Sequence, residues 1–152
     1  MATVPQFGDP DPGHDYADRP AAFGVAERDG RIALVEIQKP GKAPWRDLPG
    51  GAIDPGETAE VAVAREFGEE SGLRIAVGEA FARADQRFEN TDGERFNNRG
   101  TFFSVKVIGE NPDLKIEDDH TLVWVDPNEA VVQLRHDAHA WAVAAWLRRV
   151  RA

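Results

Sequence analysis

The stretch from Gly51 to Leu73, GAIDPGETAEVAVAREFGEESGL, constrains this chain more than any other. Asp54-Pro55-Gly56 has the composition of a tight turn, Thr58 is suited to cap a helix, and an Ala/Val-rich run from Ala59 carries that helix past Phe67 to a stop near Ser71-Gly72. At about 100° per residue, Glu60, Val63, Ala64 and Phe67 share one side, and Ala62, Glu66, Glu69 and Glu70 share the neighbouring one. Carboxylates three and four positions apart repel, so a helix that gathers Glu66, Glu69 and Glu70 loses stability unless a positive charge neutralises them. A hard divalent cation such as Mg²⁺ prefers carboxylate oxygens, keeps several waters and is completed by substrate phosphates, which makes this helix one half of a metal site. The plain alternative is an acidic helix facing solvent.

Composition narrows the classes of partner. At 152 residues and 41% hydrophobic, the chain suffices for one domain with a real core. Its net charge of −9 argues against broad binding to duplex nucleic acid or to an anionic membrane. A nucleotide-sized anion is compatible with that charge when metal ions bridge protein carboxylates and phosphates. The absence of cysteine excludes disulfides, thiolate zinc sites and a cysteine nucleophile, and fits a reducing compartment. No long apolar run spans a bilayer and the polar start lacks a signal-peptide pattern, so a soluble cytoplasmic protein is expected.

Taken in order, residues 1–20 are proline-rich and aperiodic and read as an extended arm, with His14 and Tyr16 in a loosely packed segment; residues 21–152 read as the domain. Ala21–Glu27 and Arg31–Gln38 form a hairpin through Asp29-Gly30. Trp45 to Pro49 extends into Gly50-Gly51, whose backbone can approach a ligand closely; Trp45 either stacks on a base or packs the sheet. A strand over Leu73–Ala84, a further piece at Phe88–Asn90, a turn at Thr91-Asp92-Gly93 and a β-rich run over Arg99–Ile108 follow, the last in the middle of the sheet. Asn97, Asn98 and Arg99 either face a base or phosphate or line a loop. Glu117-Asp118-Asp119 precedes a strand over Thr121–Val125. Asp126-Pro127 starts a short helix, and a last helix over Asp137–Arg149 docks a stripe of Ala138, Trp141, Ala142, Ala145, Trp146 and Arg149. His136 and His139 are expected to be solvent-exposed. Strands with helices at both places suggest an α/β sandwich around a mixed β-sheet.

Gly51, five residues, Glu57, seven residues, then Arg65-Glu66-Phe67-Gly68-Glu69-Glu70-Ser71-Gly72-Leu73 resembles the box of the Nudix hydrolase superfamily at its fixed positions. The resemblance implies an α/β/α sandwich around a mixed sheet, and Mg²⁺, with Mn²⁺ as a substitute, held by Glu66, Glu69, Glu70 and the carbonyl of Gly50. It also implies an ion pair between Glu57 and Arg65, with Gly51 and Gly72 as structural positions of the motif. A further ligand or catalytic carboxylate is expected from the segment before the strand carrying Trp124, Asp118 first and Glu117 second. Glu66 or such a loop carboxylate is the candidate base.

The reaction implied is metal-dependent hydrolysis of the diphosphate linkage of a nucleoside diphosphate joined to another group, with Trp45, Asn98 and Arg99 as candidate substrate contacts. Relatives acting on ADP-ribose carry a proline beyond the box, and many acting on dinucleoside polyphosphates a tyrosine; here no proline lies between Pro55 and Pro112, and Tyr16 is the only tyrosine. A nucleoside triphosphate, oxidised or not, is therefore favoured over nucleotide sugars and dinucleoside polyphosphates. The alternative from another class is a non-catalytic nucleotide-sensing module, which would be expected to lose box carboxylates; none is missing here. A homodimer is common among relatives.

Overall fold

A computed structural model describes residues 3–151. Two strands and a helix carry the site: β2 (Ala17–Arg28), β5 (Gly50–Ala52) and α1 (Ala59–Ser71). The remaining elements, in chain order, are β1 (Gln6–Phe7), β3 (Arg31–Ile37), β4 (Trp45–Asp47), β6 (Leu73–Glu89), β7 (Arg95–Glu110), a 3₁₀ turn at Pro112–Leu114, β8 (His120–Val125), α2 (Pro127–Gln133) and α3 (Asp137–Val150).

The sheet runs β1-β6-β7-β2-β3-β4, with β5 added beside β2 and β8 beside β3. It is mixed: β2 pairs parallel with β7 from Ala17↔Phe96 to Ala26↔Val105, whereas β6 and β7 form a long antiparallel hairpin. Asp29 and Gly30 both adopt positive φ, the backbone of a tight two-residue hairpin turn, but β2 and β3 stay paired only at its base. Beyond Glu27↔Ile32 they diverge, β2 toward β7 and β5 and β3 toward β4 and β8, which curls the sheet and opens a cleft between its halves.

Both faces of β2 are buried, and its two sets of side chains differ in size. Ala21, Phe23 and Val25 join Leu34, Phe102, Ala138, Ala142 and Trp146 under α3. Ala22 and Ala26 face Val63, Phe67 and Phe103 under α1. A Cβ at Gly24 would stand 2.7 Å from the Phe67 ring, so α1 docks this closely because that face is made of small residues. Helices on both faces give the α/β/α sandwich expected.

The helix boundaries follow their local chemistry. Thr58 accepts the Val61 N–H at 3.2 Å and Gly72 ends α1 at φ 75°. Asp126 caps α2, with Pro127 in its first turn. The strands are longer than sequence alone suggests: β2 starts at Ala17 because β7 offers it a parallel partner, and β6 runs unbroken through Glu89. Within the segment read as an arm, Gln6–Phe7 and Ala17–Pro20 are hydrogen-bonded strand, and Tyr16 Oη accepts the Asp11 N–H. Among the described residues no helix is long and apolar enough to cross a membrane.

Candidate active site

Arg65 organises the carboxylates of α1. Its Nε and Nη2 bind the two oxygens of Glu57 at 2.8 and 2.9 Å, Nη2 reaches the Ala52 carbonyl at 3.2 Å, and Nη1 bridges Glu66 at 2.9 Å and Glu69 at 3.1 Å. The Arg65 hydrogen bonds, helped by the Asp54 N–H, hold the Glu57 carboxyl down at about 2. Arg65 thus ties the loop to the helix, in the place expected for the ion pair. It also relieves part of the repulsion between Glu66 and Glu69.

Glu70 has no such relief. It is 6% exposed; one oxygen accepts the Gly50 N–H at 3.0 Å, and burial pushes its carboxyl well above the usual range, with Glu66, Asp47 and Glu117 pushing further. Burial likewise raises Glu66, against the pull of Arg65. The glycines of β5 meet both acids, Gly50 by its N–H on Glu70 and Gly51 by its missing side chain beside Glu66. Gly50 has φ 144° and a Cβ there would meet the Ala22 carbonyl and stand 2.7 Å from Phe23 Cα. A Cβ at Gly51 would stand 3.1 Å from the Glu66 carboxyl carbon.

The loop after β7 completes the cluster. The Ile116 and Glu117 N–H groups both donate to the Glu69 carbonyl, at 3.0 and 3.1 Å, which pins this loop to the end of α1. Glu117 is half-buried there, and its charge acts on both Glu66 and Glu70. Asp118 is exposed in a turn. Glu117, Asp119 and His120 offer donor atoms within 4.8 Å of one another. His120 stands between Asp119, 2.6 Å from its Nδ1, and Glu70, 3.5 Å from its Nε2. Lys39 pairs with Asp119 and, with His120, holds its carboxyl down at about 2. A donor set of buried, mutually repelling carboxylates fits a divalent cation.

Beside this cluster lies a cavity of about 270 Å³ that shares Gly50, Gly51 and His120 with it. Trp45, Phe23 and Phe88 supply aromatic walls; Asn98, Arg19, Asp47, Arg135, His136 and His139 supply polar groups. Arg19 donates to Asn98 Oδ1 at 2.8 Å and lies over the rings of Phe88 and Phe96. Arg135 binds Asp47 through Nε and Nη2 at 3.2 and 2.7 Å and stacks on Trp45. Burial still raises the Asp47 carboxyl.

His136 and His139 are not exposed as expected: they are 7% and 2% accessible. His139 shares the helical stripe of Ala142, Val143 and Trp146, and its Nδ1 accepts the Leu48 N–H at 3.2 Å, so the ring proton sits on Nε2. Burial drops His139 to about 3 and His136 well below its ordinary value, so both imidazoles are neutral.

Of the substrate contacts expected from sequence, the structure brings Trp45 and Asn98 into the cavity and not Arg99. Arg99 follows Asn98 on β7 and so projects to the other face, where it pairs with Asp18 and Asp85. Sequence reasoning did not single out Arg19, Asp47, His120 or Arg135. For His120 a signal existed: it opens the strand of Trp124, immediately after the acidic run.

A model of the NUDIX domain matches residues 16–147. The RNA pyrophosphohydrolase of Sphingopyxis alaskensis is 32% identical over 123 residues, spanning 72% of this chain and 77% of that protein. The CTP pyrophosphohydrolase of Escherichia coli K12 is 30% identical over 110 residues, 70% of this chain and 75% of that one. Among solved structures, a NUDIX hydrolase from Nitrosomonas europaea superposes with a TM-score of 0.72 at 21% identity, covering 86% of this chain and 89% of its own. With the box carboxylates gathered at one end of the cleft and an aromatic-walled cavity at the other, this chain belongs to the Nudix hydrolase superfamily and is a pyrophosphohydrolase of nucleotide diphosphate bonds.

Proposed function

We propose that the protein hydrolyses a nucleoside triphosphate, with the nucleoside in the cavity and the phosphate chain on the carboxylates of α1. The observation that carries this reading is the sharing of Gly50 and Gly51: they line the cavity and also pack against Glu70 and Glu66, so a nucleoside in one continues directly into the other. A volume of about 270 Å³ is at the small end of ligand cavities and suits one nucleoside rather than two, which favours a triphosphate over a dinucleoside polyphosphate. The relative named for CTP supports the same substrate class. Such a nucleotide fits action in the cytoplasm.

Glu66, Glu69 and Glu70, with the Gly50 carbonyl, hold the divalent metal, Mg²⁺ or Mn²⁺. Glu117 joins them in the role expected of Asp118, because it is the loop carboxylate within electrostatic reach of the cluster. The bound metal supplies polarisation of the phosphoryl oxygens. The chain's own part is to exclude water from the nucleoside with Trp45, Phe88 and Phe23, to hold it through Asn98 and Arg19, and to accept the proton of the attacking water on Glu66 or the loop carboxylate Glu117.

Product release is to be measured across a panel of nucleoside triphosphates, oxidised triphosphates, nucleotide sugars and dinucleoside polyphosphates, each with Mg²⁺, Mn²⁺ and EDTA. Metal-dependent cleavage with kcat/KM highest for one triphosphate is expected. A higher kcat/KM for a dinucleoside polyphosphate or nucleotide sugar would overturn the substrate assignment.

A further inference from the structure

We infer that His120 is a nitrogen ligand of the active-site metal, oriented by Asp119, and that it tilts this site toward transition metals. The inference rests on the carboxylate cluster being the metal site. Asp119 is 2.6 Å from Nδ1 and, as a carboxylate, only accepts, so Nδ1 carries a proton and Nε2 is the nitrogen turned to Glu70.

The gap on the Nε2 side is informative. Nε2 and Glu70 Oε2 are 3.5 Å apart, whereas a charge-assisted N–H···O⁻ bond closes to about 2.7–2.9 Å. Two atoms each about 2.1 Å from one ion can stand up to about 4.2 Å apart, so this pair suits a shared cation better than a shared proton. Glu70 is 6% exposed, and its other oxygen is already committed to the Gly50 N–H. Oε2 is thus the oxygen of a largely buried carboxyl that is turned to Nε2 without a hydrogen bond.

Lys39, Asp119 and His120 form a carboxylate–histidine arrangement of the kind that fixes the tautomer of a metal-bound imidazole and raises its basicity. Imidazole favours Co²⁺ and its later neighbours over Mg²⁺, which is best served by oxygen alone.

The test uses Mn²⁺ and Co²⁺ on the full chain without substrate. Pulsed EPR of bound Mn²⁺ should show ¹⁴N coupling that changes to ¹⁵N coupling when histidine is isotope-labelled. His120→Gln should lose that coupling and lower the Co²⁺:Mg²⁺ affinity ratio, by calorimetry, about tenfold or more. The wild-type spectrum decides the matter even where the variant folds poorly. Mn²⁺ bound without nitrogen coupling, or coupling that survives in His120→Gln, would overturn the role of His120 and leave the carboxylate site standing. Absence of any Mn²⁺ binding would overturn the site itself and this assignment with it.

Discussion

The two ends of the cleft solve opposite electrostatic problems. At the α1 end, Glu70 is buried and Glu66 half-buried, and burial raises both carboxyls against the pull of the Gly50 N–H and of Arg65. At the α3 end, Asp47 is paired with Arg135, His136 and His139 are neutral, and the one unpaired charge among the groups described there, Arg19, is held by Asn98 and by the rings of Phe88 and Phe96. On the function proposed above, the first end takes metal and phosphates and the second takes the nucleoside. That proposal accounts for a polyanion on a protein of net charge −9: metal ions meet the substrate's charge at one place, and its nucleoside lies at another.

The largest effect is expected at the acidic end. Glu70→Gln should lower kcat by more than about 10²-fold, beyond the loss on removing a mere outer-shell partner of a metal. Thermal stability should be kept or improved, because Gln still accepts the Gly50 N–H and no longer buries a charge. Near-normal turnover would remove Glu70 from the site.

The α3 end should respond in KM instead. Phe88→Ala is expected to raise KM about tenfold with kcat nearly unchanged, in line with the roughly 1–3 kcal/mol of a base stacked on an aromatic ring. An equal fall in kcat would mean that this wall takes part in the chemistry, and the division between the two ends would be lost.

His139→Phe probes how the α3 end is built. It orphans the buried Leu48 N–H, at a cost of about 1–3 kcal/mol in urea unfolding at pH 7. It should also change the pH dependence. With the folded imidazole held down at about 3 and the unfolded one at about 6.5, the unfolded chain binds more protons between those values. Stability contributed by this group is therefore complete above about pH 6.5 and is lost as pH falls toward 3. Buried Glu70 and Asp47 act in the opposite sense, but they are common to both proteins and cancel in the difference. Parallel stability–pH curves for wild type and variant would show that His139 is not buried neutral.

The smallest effect on KM marks the boundary. Arg99→Ala should leave KM unchanged and cost no more than about 1–3 kcal/mol of stability, because its partners Asp18 and Asp85 lie on the far face of β7 and only Asp85 is buried. A clear rise in KM would bring that face into the substrate site.

The acidic end was legible in the sequence because its parts are contiguous. Turn, cap, helix and three carboxylates lie within one stretch, and helical periodicity alone places them together. The cavity was legible only in Trp45 and Asn98, because Arg19, Phe88 and Arg135 join them through the pairing of β2 with β7, of β6 with β7 and of β3 with β4, and through the Arg135 N–H on the Arg46 carbonyl. Some of it was nonetheless within reach. Alternation along β7 separates Asn98 from Arg99, and His139 falls at the spacing of Ala142, Val143 and Trp146, a stripe that marks it as interior. For Asp47 and Arg135 no local pattern exists; their partnership is a fact of the tertiary structure.

The parallel pairing of β2 with β7 bears on the order in which this molecule folds. Arg19 and Asn98 are 79 residues apart, so closing that contact costs far more chain entropy than forming α1 or the β6–β7 hairpin, which need only near neighbours. β2 and β5 pair with each other within the first 52 residues, whereas β2 gains its longer partner, β7, only when Arg95–Glu110 is in place. The acids of α1 lie in one stretch of chain, whereas the Arg19–Asn98 side of the cavity exists only where the N-terminal strand has paired with β7.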